Sequence, residues 1–273
     1  MVQVNPRNGI LNYVDHEDLS NREDKQNKLI GLMENGVEFK LDKIMEKEGE
    51  IKKLLFRKRV KDIERYQKTG KLLDVGCAQG AFLFACTNSN LQLYGVEPSK
   101  YTSIMASKIA HEVTIYNSTL LEARLPQNNF DVVTLINTLE HLVNPKETLE
   151  EVCRILKSGG LLMIETPNVA HWLPSLMGRH WVQFLVPDHV VFFSKDVLTD
   201  MLCKIGFDVR EIKSGNKMMS VRLLLFHLSH YLGSMSKGIM EIIMKICERT
   251  GFAGKTITIP QWDEMILLAR KIK

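Results

Sequence analysis

The sequence contains few cysteines, and their placement limits the class of protein that it encodes. Among its 273 residues there are five cysteines, and no two of them have Cys-x-x-Cys spacing. This pattern argues against a zinc site and a disulfide framework, and it fits the reducing cytoplasm. Eight prolines and 17 glycines are too few for a long disordered or collagenous tract.

Long hydrophobic runs are also missing. No apolar stretch reaches the ~18 residues that a membrane-spanning helix needs, and the polar N-terminus does not resemble a signal peptide. We therefore expect a cytoplasmic protein. The hydrophobic content of 45% is ordinary for a soluble chain, and 273 residues are enough to bury a full core.

Acidic residues are scarce in one stretch of the chain. The stretch from Lys52 to Lys71 contains nine lysines and arginines but only two acidic residues, Asp62 and Glu64. The net charge of the whole chain is +4. This stretch is a solvated helix face, or it contacts a phosphorylated substrate or the anionic headgroups at the inner face of the membrane. Because interleaved aromatic residues are missing, we expect no nucleic acid partner.

Strands and helices alternate after a polar N-terminal stretch. We interpret residues 1–50 as an N-terminal helical appendage, and a helix over 51–66 leads into the first strand. The alternation predicts an α/β fold, with a parallel sheet that carries helices on both faces. The predicted strands are Lys71–Val75, Gln92–Val96, Glu112–Tyr116, Asp131–Ile136, Leu161–Glu165, Phe207–Ile212 and Met265–Arg270.

One predicted helix has clear signals at both ends. Asn144 and Glu147 have the spacing of a capping box, and Pro145 fits the first turn. The apolar residues then recur with helical spacing until Gly159, which is expected to end the helix. A later helix is predicted to begin after Ser194 and to stop at Gly206.

A segment at 218–258 is inserted between the last two strands, so the core domain comprises 51–217 and 259–273. Ile239, Ile242, Ile243 and Ile246 form one stripe of a helix in this segment, and 223–232 is apolar almost throughout. The insertion is a helical hairpin that packs on the core or against a second copy in a homodimer, a lid over an apolar substrate, or an interfacial membrane helix.

The most informative stretch is Leu72–Gly80, where an apolar strand breaks into Asp-x-Gly-x-Ala-x-Gly and a helical pattern follows at once. Small residues at alternate positions let the backbone turn tightly and let a ligand approach main-chain N–H groups. The spacing differs from the Gly-x-Gly-x-x-Gly dinucleotide fingerprint. Because Asp74 at the strand end would repel a phosphate, the turn suits a ligand with a positively charged amino group.

Further motifs follow along the chain. Glu97 ends the second strand, where an acid can accept hydrogen bonds from both hydroxyls of a ribose. The later motifs are Leu125-Pro126, Phe130–Val133, Thr138–Leu142, Lys157–Gly160 and Glu165–Asn168. The ordered set resembles the class I S-adenosylmethionine-dependent methyltransferases of the type 11/type 23 group, which includes the ubiquinone-biosynthesis O-methyltransferases. The resemblance covers about residues 55–215 and the closing strand.

The resemblance implies a Rossmann-like fold with a central seven-stranded, mostly parallel sheet, and it implies S-adenosyl-L-methionine as the cofactor. Asp74 would lie near the amino group of the cofactor, and Glu97 would hold the ribose. Arg57 either approaches the cofactor carboxylate or matches by chance. The cofactor-binding residues implied in this way are Asp74, Gly76, Cys77, Ala78, Gly80, Glu97, Pro98, Ser118, Thr119, Ile136 and Asn137.

Within that set, Ser118 and Thr119 would lie beside the adenine, while Ile136 and Asn137 would pass under the methionyl group. Ala78 stands where the family more often has a glycine, which predicts weaker or re-angled cofactor binding.

Two histidines are candidate general bases, because an imidazole with a pKa near neutrality can remove a hydroxyl proton. They are His141, which follows the fourth strand, and His189. Each has an alternative structural role, in which it anchors its loop. The aromatic-rich stretch 168–193 is predicted to form an acceptor pocket, with Phe192 and Phe193 assigned to the core.

A metal site is not predicted. The ubiquinone-type enzymes carry a Glu three residues before their Glu-His pair, and this Glu is proposed to join a divalent metal site. Asn137 occupies the corresponding position here, and Glu140 with His141 alone form a poor cage for a hard cation.

The resemblance implies methyl transfer to a hydroxyl of a small molecule, a lipid-linked intermediate or a glycan sugar. The alternatives are N-methylation of an amino sugar or amine, methylation of an RNA 3′ end, and cofactor binding without catalysis. Contact with the membrane surface and homodimerisation are further expectations for this chain.

Overall fold

Alternating strands and helices make up most of the chain. The computed structural model describes residues 2–4, 11–13, 38–109, 113–186, 188–221, 224–225 and 237–272. The strands are β1 (Val2–Val4), β2 (Leu11–Tyr13), β3 (Thr69–Val75), β4 (Asn90–Val96), β5 (Thr114–Tyr116), β6 (Phe130–Ile136), β7 (Leu156–Pro167), β8 (Val191–Phe192), β9 (Phe207–Ser220) and β10 (Thr256–Lys271). The helices are α1 (Glu38–Glu64), α2 (Ala81–Cys86), α3 (Lys100–Ile109), α4 (Pro145–Ile155), α5 (Trp172–Met177), α6 (Lys195–Ile205) and α7 (Lys237–Arg249). Short 3₁₀ helices lie at Leu139–His141, Gly178–His180, Val182–Leu185 and Phe252–Gly254.

Seven strands form one sheet in the order β5-β4-β3-β6-β7-β10-β9. Strands β3 to β7 pair in parallel, and β10 is antiparallel to β7. The predicted α/β fold, with a seven-stranded and mostly parallel sheet, is therefore confirmed. Strands β9 and β10 are longer than predicted, because their added ends carry polar residues that an apolar pattern does not reveal. Strands β1, β2 and β8 form a separate antiparallel sheet.

Both faces of the large sheet are covered. Neighbouring residues of β3 point to opposite faces, so that Leu72 and Leu73 belong to two different buried clusters. One cluster includes Val60 and Ile63 of α1, and the other packs α4 and α6 onto the sheet. The central strand β6 is buried through most of its length, which explains its continuous apolar sequence.

The ends of two helices test the sequence signals directly. The Ser194 hydroxyl accepts a hydrogen bond from the Val197 N–H at the start of α6, and Gly206 ends that helix with a left-handed φ of 114°. Helix α4 begins at Pro145 as predicted, but the capping box is wrong, because Asn144 makes no side-chain cap and its amide instead donates to Glu147. The helix also ends at Ile155 rather than near Gly159, since Leu156 already pairs with Phe130 of β6.

The chain divides into two compact units. The first comprises Met1–Asp15, Phe56–Gly215 and Gln261–Lys273, and it contains most of the large sheet. The second comprises His16–Leu55 and Asn216–Pro260, and it contains α7. Most of the apolar stretch predicted at 223–232 lies outside the described residues, as does residue 112 at the start of the predicted third strand. Among the described helices, none is both long and apolar enough to cross a bilayer.

Candidate functional site

The carboxyl ends of β3, β4, β5, β6 and β7 lie at one edge of the sheet, because these strands are parallel. The first turn at this edge follows β3. The N–H groups of Gly76 and Cys77 both donate to the carbonyl of Val96, at 2.8 and 3.1 Å, which holds the turn against the end of β4. Gly76 has a φ of 72°, and a Cβ there would lie 2.6 Å from Cγ2 of Thr138. A glycine is therefore required at this position for both conformation and space.

Glu97 holds the same turn through its side chain. One carboxylate oxygen accepts the Ala78 N–H at 2.9 Å, and the other accepts the Ser99 N–H at 2.9 Å. Each oxygen keeps a further lone pair, so the group can still accept two hydroxyl hydrogen bonds. Ala78 has a left-handed φ of 46°, a conformation that costs an alanine more free energy than it costs a glycine.

Asp74 is buried near the end of β3, just before the turn, with 3% of its surface exposed. Its Oδ1 accepts a hydrogen bond of 2.7 Å from the hydroxyl of Thr134. Burial raises the pKa of this carboxyl to about 7, the Thr134 hydrogen bond opposes the rise, and the charge of Glu97 adds to it. A cation bound next to Asp74 would restore its ionised form.

Ser118 and Thr119 differ in what their hydroxyls can offer. The Thr119 hydroxyl donates to Glu122 at 2.8 Å, and the Thr119 N–H donates to the same carboxylate. By contrast, Oγ of Ser118 is the one buried side-chain polar atom that has no hydrogen-bond partner within the described part of the chain. A buried hydroxyl of this kind costs free energy unless a ligand satisfies it.

Asn137 continues the edge after β6. Its φ is 49°, and its N–H donates to the carbonyl of Glu165 at 2.8 Å. The carboxylate of Glu165 is in turn bound by Arg59 of α1 through two hydrogen bonds of 2.7 Å, and both side chains are buried. Arg57, which the resemblance either places near the cofactor carboxylate or matches by chance, is exposed, whereas Arg59 is buried and had no signal in the sequence.

Two further residues of the implied set lie at the ends of β3 and β4. The thiol of Cys77 is buried beneath Gly95, and burial raises its pKa well above the usual range. The backbone of Cys77 therefore remains as its means of contacting a ligand. Pro98 is exposed next to Glu97.

Three potential metal ligands meet beside this edge. Glu140 and His141 lie in the 3₁₀ helix after β6, and His189 lies just before β8. One ligand atom from each residue lies within 4.8 Å of the others. Glu140 is buried, accepts the Thr166 hydroxyl at 2.9 Å, and has a pKa that burial raises to about 7.

The two imidazoles are held in the same way. Nδ1 of His141 lies 2.9 Å from the carbonyl of Asp188, and Nδ1 of His189 lies 3.1 Å from the carbonyl of Gln183. Because a carbonyl can only accept, each Nδ1 carries a proton, which leaves the lone pair of each neutral ring on Nε2. The pKa of His189 is lowered to about 4, mainly by burial and to a smaller extent by the electrostatic effect of the nearby His141.

The aromatic stretch after β7 is largely interior. Trp181 is fully buried, donates to Asp263 at 3.1 Å, and packs edge-on against Phe184. Phe192 and Phe193 are buried as predicted. The acceptor-pocket prediction is wrong for Trp181, because its ring and its N–H are both satisfied inside the fold.

The comparisons with known proteins agree with this geometry. The family model described as "Methyltransferase domain" (Methyltransf_23) matches residues 48–212, which is more than half of the chain. The chain belongs to this methyltransferase family. Its cofactor is S-adenosylmethionine, as predicted.

Curated relatives of this methyltransferase domain share a name. Proteins named ubiquinone biosynthesis O-methyltransferase from Bradyrhizobium sp. (strain ORS 278) and Rhodopseudomonas palustris (strain BisB18) are each 30% identical to it. The alignments cover 46% and 44% of this chain, and 56% and 54% of the relatives. The chain thus spans about half the length of the curated relatives that it matches.

Solved structures support the fold of the methyltransferase domain. An S-adenosylmethionine-dependent methyltransferase from Archaeoglobus fulgidus is 20% identical, with a TM-score of 0.54 and coverage of 80% of this chain and 94% of that one. A methyltransferase from Thermotoga maritima has the same TM-score at 19% identity, covering 82% and 90%. A [4+2]-cyclase also matches, with a TM-score of 0.52, 18% identity and coverage of 79% and 81%, so the fold alone does not fix the reaction.

Proposed function

We propose that this protein is an S-adenosylmethionine-dependent methyltransferase that methylates a hydroxyl group of a small molecule, a lipid-linked intermediate or a glycan sugar. The observation that carries the proposal is the Glu97 carboxylate, which two backbone N–H groups hold at the mouth of the glycine-containing turn. The names of the curated relatives support oxygen as the acceptor atom.

The site has a separate feature for each part of the cofactor. Glu97 has the free lone pairs that the two ribose hydroxyls require, and Asp74 is a buried carboxyl that a nearby ammonium group would ionise. Ser118 has an unpartnered hydroxyl where the resemblance puts the adenine. The strained loop at Asn137, fixed by Glu165, would pass under the methionyl group.

Bound S-adenosylmethionine supplies an electrophilic methyl on a sulfonium, and the protein's own residues align the acceptor and remove its proton. We assign the base role to His141, whose ring is half-buried and whose Nε2 carries the lone pair. His189 is a weak base, because its pKa is lowered to about 4. It would orient His141, since the two rings meet edge-to-face with their centroids 4.8 Å apart.

An acceptor with hydrophobic character fits the exposed side chains after β7. Helix α5 follows the carboxyl end of that strand, and its Trp172 and Leu176 are exposed. Ligands of parallel sheets bind at this end of the strands. The two side chains therefore offer apolar surface on the side where the acceptor would enter.

Calorimetric titration of the full chain with S-adenosylmethionine tests the cofactor assignment. Glu97→Gln replaces one acceptor oxygen by a donor facing a backbone N–H, and losing charged hydrogen bonds of this kind costs about 1.5–3 kcal/mol. We expect binding to weaken about tenfold to hundredfold. Asp131→Asn, a control that accepts the Lys71 N–H near the opposite ends of β3 and β6, should bind as the parent does. Equal affinities of the Glu97 variant and the parent would contradict the assignment.

The acceptor atom is tested separately, with methyl-labelled cofactor and panels of alcohols, phenols, sugars and amines analysed by mass spectrometry. We expect label on oxygen and a large loss of rate in His141→Gln. Label found only on nitrogen would contradict O-methylation and identify the protein as an N-methyltransferase. Cofactor binding without transfer to any panel would indicate a non-catalytic protein.

A further inference from the structure

The buried side chain of Thr138 packs against the turn at 75–80 that follows β3, here called the cofactor turn. Its hydroxyl lies 3.0 Å from the carbonyl of Val75 and 3.2 Å from that of Ile136. A hydroxyl has one proton to donate, and the nearer acceptor is the residue just before Gly76. A Cβ placed on Gly76 would lie 2.6 Å from the methyl carbon of Thr138 and 2.7 Å from its hydroxyl oxygen. The threonine therefore fills the space that the glycine leaves open.

The backbone of the same residue begins the 3₁₀ helix that carries the proposed base. Thr138 directly precedes this helix, Leu139–His141, and its carbonyl accepts the His141 N–H at 3.0 Å. A 3₁₀ helix of a single turn has few hydrogen bonds of its own, so its position depends on what holds its ends. Thr138 thus contacts the cofactor turn through its side chain and holds the base through its main chain.

Two other bonds of this loop lead to different parts of the fold. The Asn137 N–H donates to the Glu165 carbonyl of β7, and the Glu140 carbonyl accepts the N–H of Val190, which precedes β8. Both are bonds between main-chain atoms, which most residue types can make. The bond from Thr138 to the end of β3 is different, because it requires a side-chain hydroxyl. This contact therefore depends on the identity of the residue.

The proposed reaction needs the two regions that Thr138 joins to keep a fixed distance. Its cofactor binds at the turn after β3, and its base, His141, lies on the loop after β6. Transfer depends on the distance and angle between the acceptor and the sulfonium methyl, and a misplacement of about 1 Å can cost about a hundredfold in rate. A rigid connection between cofactor and base therefore has a direct catalytic value.

We propose that Thr138 is a positioning residue, which fixes the 3₁₀ helix of His141 against the cofactor turn so that cofactor binding orders the base. The inference rests on the proposed function, from which it takes the cofactor site and the role of His141. Its specific content is that the hydroxyl of Thr138 carries the coupling between the two.

Three substitutions separate the hydroxyl from the shape of the side chain. Thr138→Val keeps the branched shape that packs on Gly76 and loses the hydrogen bond to Val75. Thr138→Ser keeps the hydroxyl and loses the methyl group. Thr199→Val is a matched control, because the Thr199 hydroxyl also donates to a carbonyl, that of Lys195 at 2.7 Å, but lies on α6.

Hydrogen exchange followed by mass spectrometry tests the coupling without any acceptor. The full chain is measured with and without saturating S-adenosylhomocysteine, the demethylated cofactor. In the parent, Thr138→Ser and Thr199→Val, the ligand should slow exchange in a peptide spanning 138–142 by at least about tenfold. In Thr138→Val the slowing should be less than about twofold at the same saturation. A peptide over 161–164 of β7 reports on global unfolding, and its exchange should not account for the difference.

The outcomes distinguish this inference from the proposed function. If the parent does not bind S-adenosylhomocysteine in a calorimetric titration, the cofactor site is refuted and the inference fails with it. If the parent binds the ligand but Thr138→Val retains the full slowing at 138–142, the cofactor site stands and Thr138 is not the link. Faster exchange of Thr138→Val at 161–164, with no selective change at 138–142, would make Thr138 a structural residue only and overturn the proposal.

Transfer rates provide a second test with an acceptor from the labelled-cofactor panels. At saturating cofactor, Thr138→Val should lower kcat about tenfold to hundredfold, and Thr138→Ser should recover most of the loss. Thr138→Val/His141→Gln should be no slower than His141→Gln alone, because residues that act as a unit are not additive. Additive losses in the double variant would show that Thr138 acts independently of His141 and would overturn the proposal.

Discussion

Replacing Asp74 with Asn should stabilise the protein while weakening its binding of S-adenosylmethionine. Asp74 is buried, and its pKa is raised from 3.8 to about 7, mainly by burial. One pKa unit corresponds to about 1.4 kcal/mol, so keeping this carboxyl ionised in the folded chain costs about 4 kcal/mol, as an order of magnitude. The amide has nearly the same shape and does not ionise.

The sign of the pH dependence follows from proton linkage. Between pH 4 and pH 7 the folded chain holds the Asp74 proton that the unfolded chain has released, so this group makes stability fall as pH rises. Above pH 7 the Asp74 carboxyl is ionised in both the folded and the unfolded chain, so its contribution to stability no longer changes with pH. The stability of Asp74→Asn relative to the parent should therefore grow by up to about 1.4 kcal/mol per pH unit across that window.

Urea unfolding of the two proteins between pH 5 and pH 8.5 measures this difference. Glu122→Gln is a control whose stability difference from the parent should stay nearly constant over this range, because hydrogen bonds from Thr119 lower the pKa of that exposed carboxyl. Its stabilising effect is lost only as the pH falls below this range. A stability difference between Asp74→Asn and the parent that stays constant over the range would refute the argument for a raised pKa.

Cofactor binding should follow the opposite trend. The proposed ammonium partner requires the ionised carboxylate, so the affinity of the parent for S-adenosylmethionine should rise by up to about tenfold per pH unit below pH 7. Calorimetry in buffers of different ionisation enthalpy should show that a proton is released on binding. Asp74→Asn should bind more weakly, with no such dependence. If the variant bound S-adenosylmethionine as tightly as the parent across the pH range, Asp74 would not contact the cofactor.

Four other substitutions test the structure. Arg59→Met should lower the free energy of unfolding in urea by about 3–5 kcal/mol, because it leaves Glu165 charged and buried. Arg59→Met/Glu165→Met should recover most of the lost stability. A double variant that loses as much stability as the single variant would contradict the pairing. Gly76→Ala should destabilise the protein by about 2–5 kcal/mol, because the added Cβ would clash with Thr138. Gly159→Ala has the same φ of 72° but no atom within 4 Å of the added Cβ, so it should cost about 1–2 kcal/mol. Equal costs would show that the clash with Thr138 does not contribute. Ala78→Gly should raise the melting temperature or leave it unchanged, and it should tighten cofactor binding slightly or leave it unchanged; a large loss of affinity would mean that the turn meets its ligand differently. If the exposed Ile242 and Ile246 of α7 contact anionic membranes, the parent should float with anionic liposomes and Ile242→Ser/Ile246→Ser should not; parent protein that stays at the bottom counts against membrane contact.

The arrangement of the strand ends could be predicted from the sequence. Asp74, Glu97 and Ile136 each end an apolar run, and parallel strands bring such ends to one edge of the sheet. The motifs therefore located the turn and the side chains around it without any long-range information. The geometry of that turn adds the hydrogen bonds by which Glu97 secures Ala78 and Ser99.

Contacts that depend on a loop path or on a helix face could not be predicted in this way. Arg57 and Arg59 are two residues apart, which is about 200° around a helix, so they point to opposite sides. Arg59 shares its face with the buried Val60 and Ile63, but only the packed structure shows which face is covered. The meeting of His189 with His141 likewise depends on the course of a 47-residue connection.

The contact of Arg59 with Glu165 has a consequence for where this domain begins. The large sheet starts at Thr69, and a chain shortened to that point would retain every strand of that sheet and every motif of the cofactor turn. It would nevertheless lose the cation that neutralises Glu165, whose carbonyl fixes Asn137. Part of the loop after β6 is thus secured from a helix that precedes the sheet. The smallest folded form of this domain therefore starts before its first core strand and includes the second half of α1.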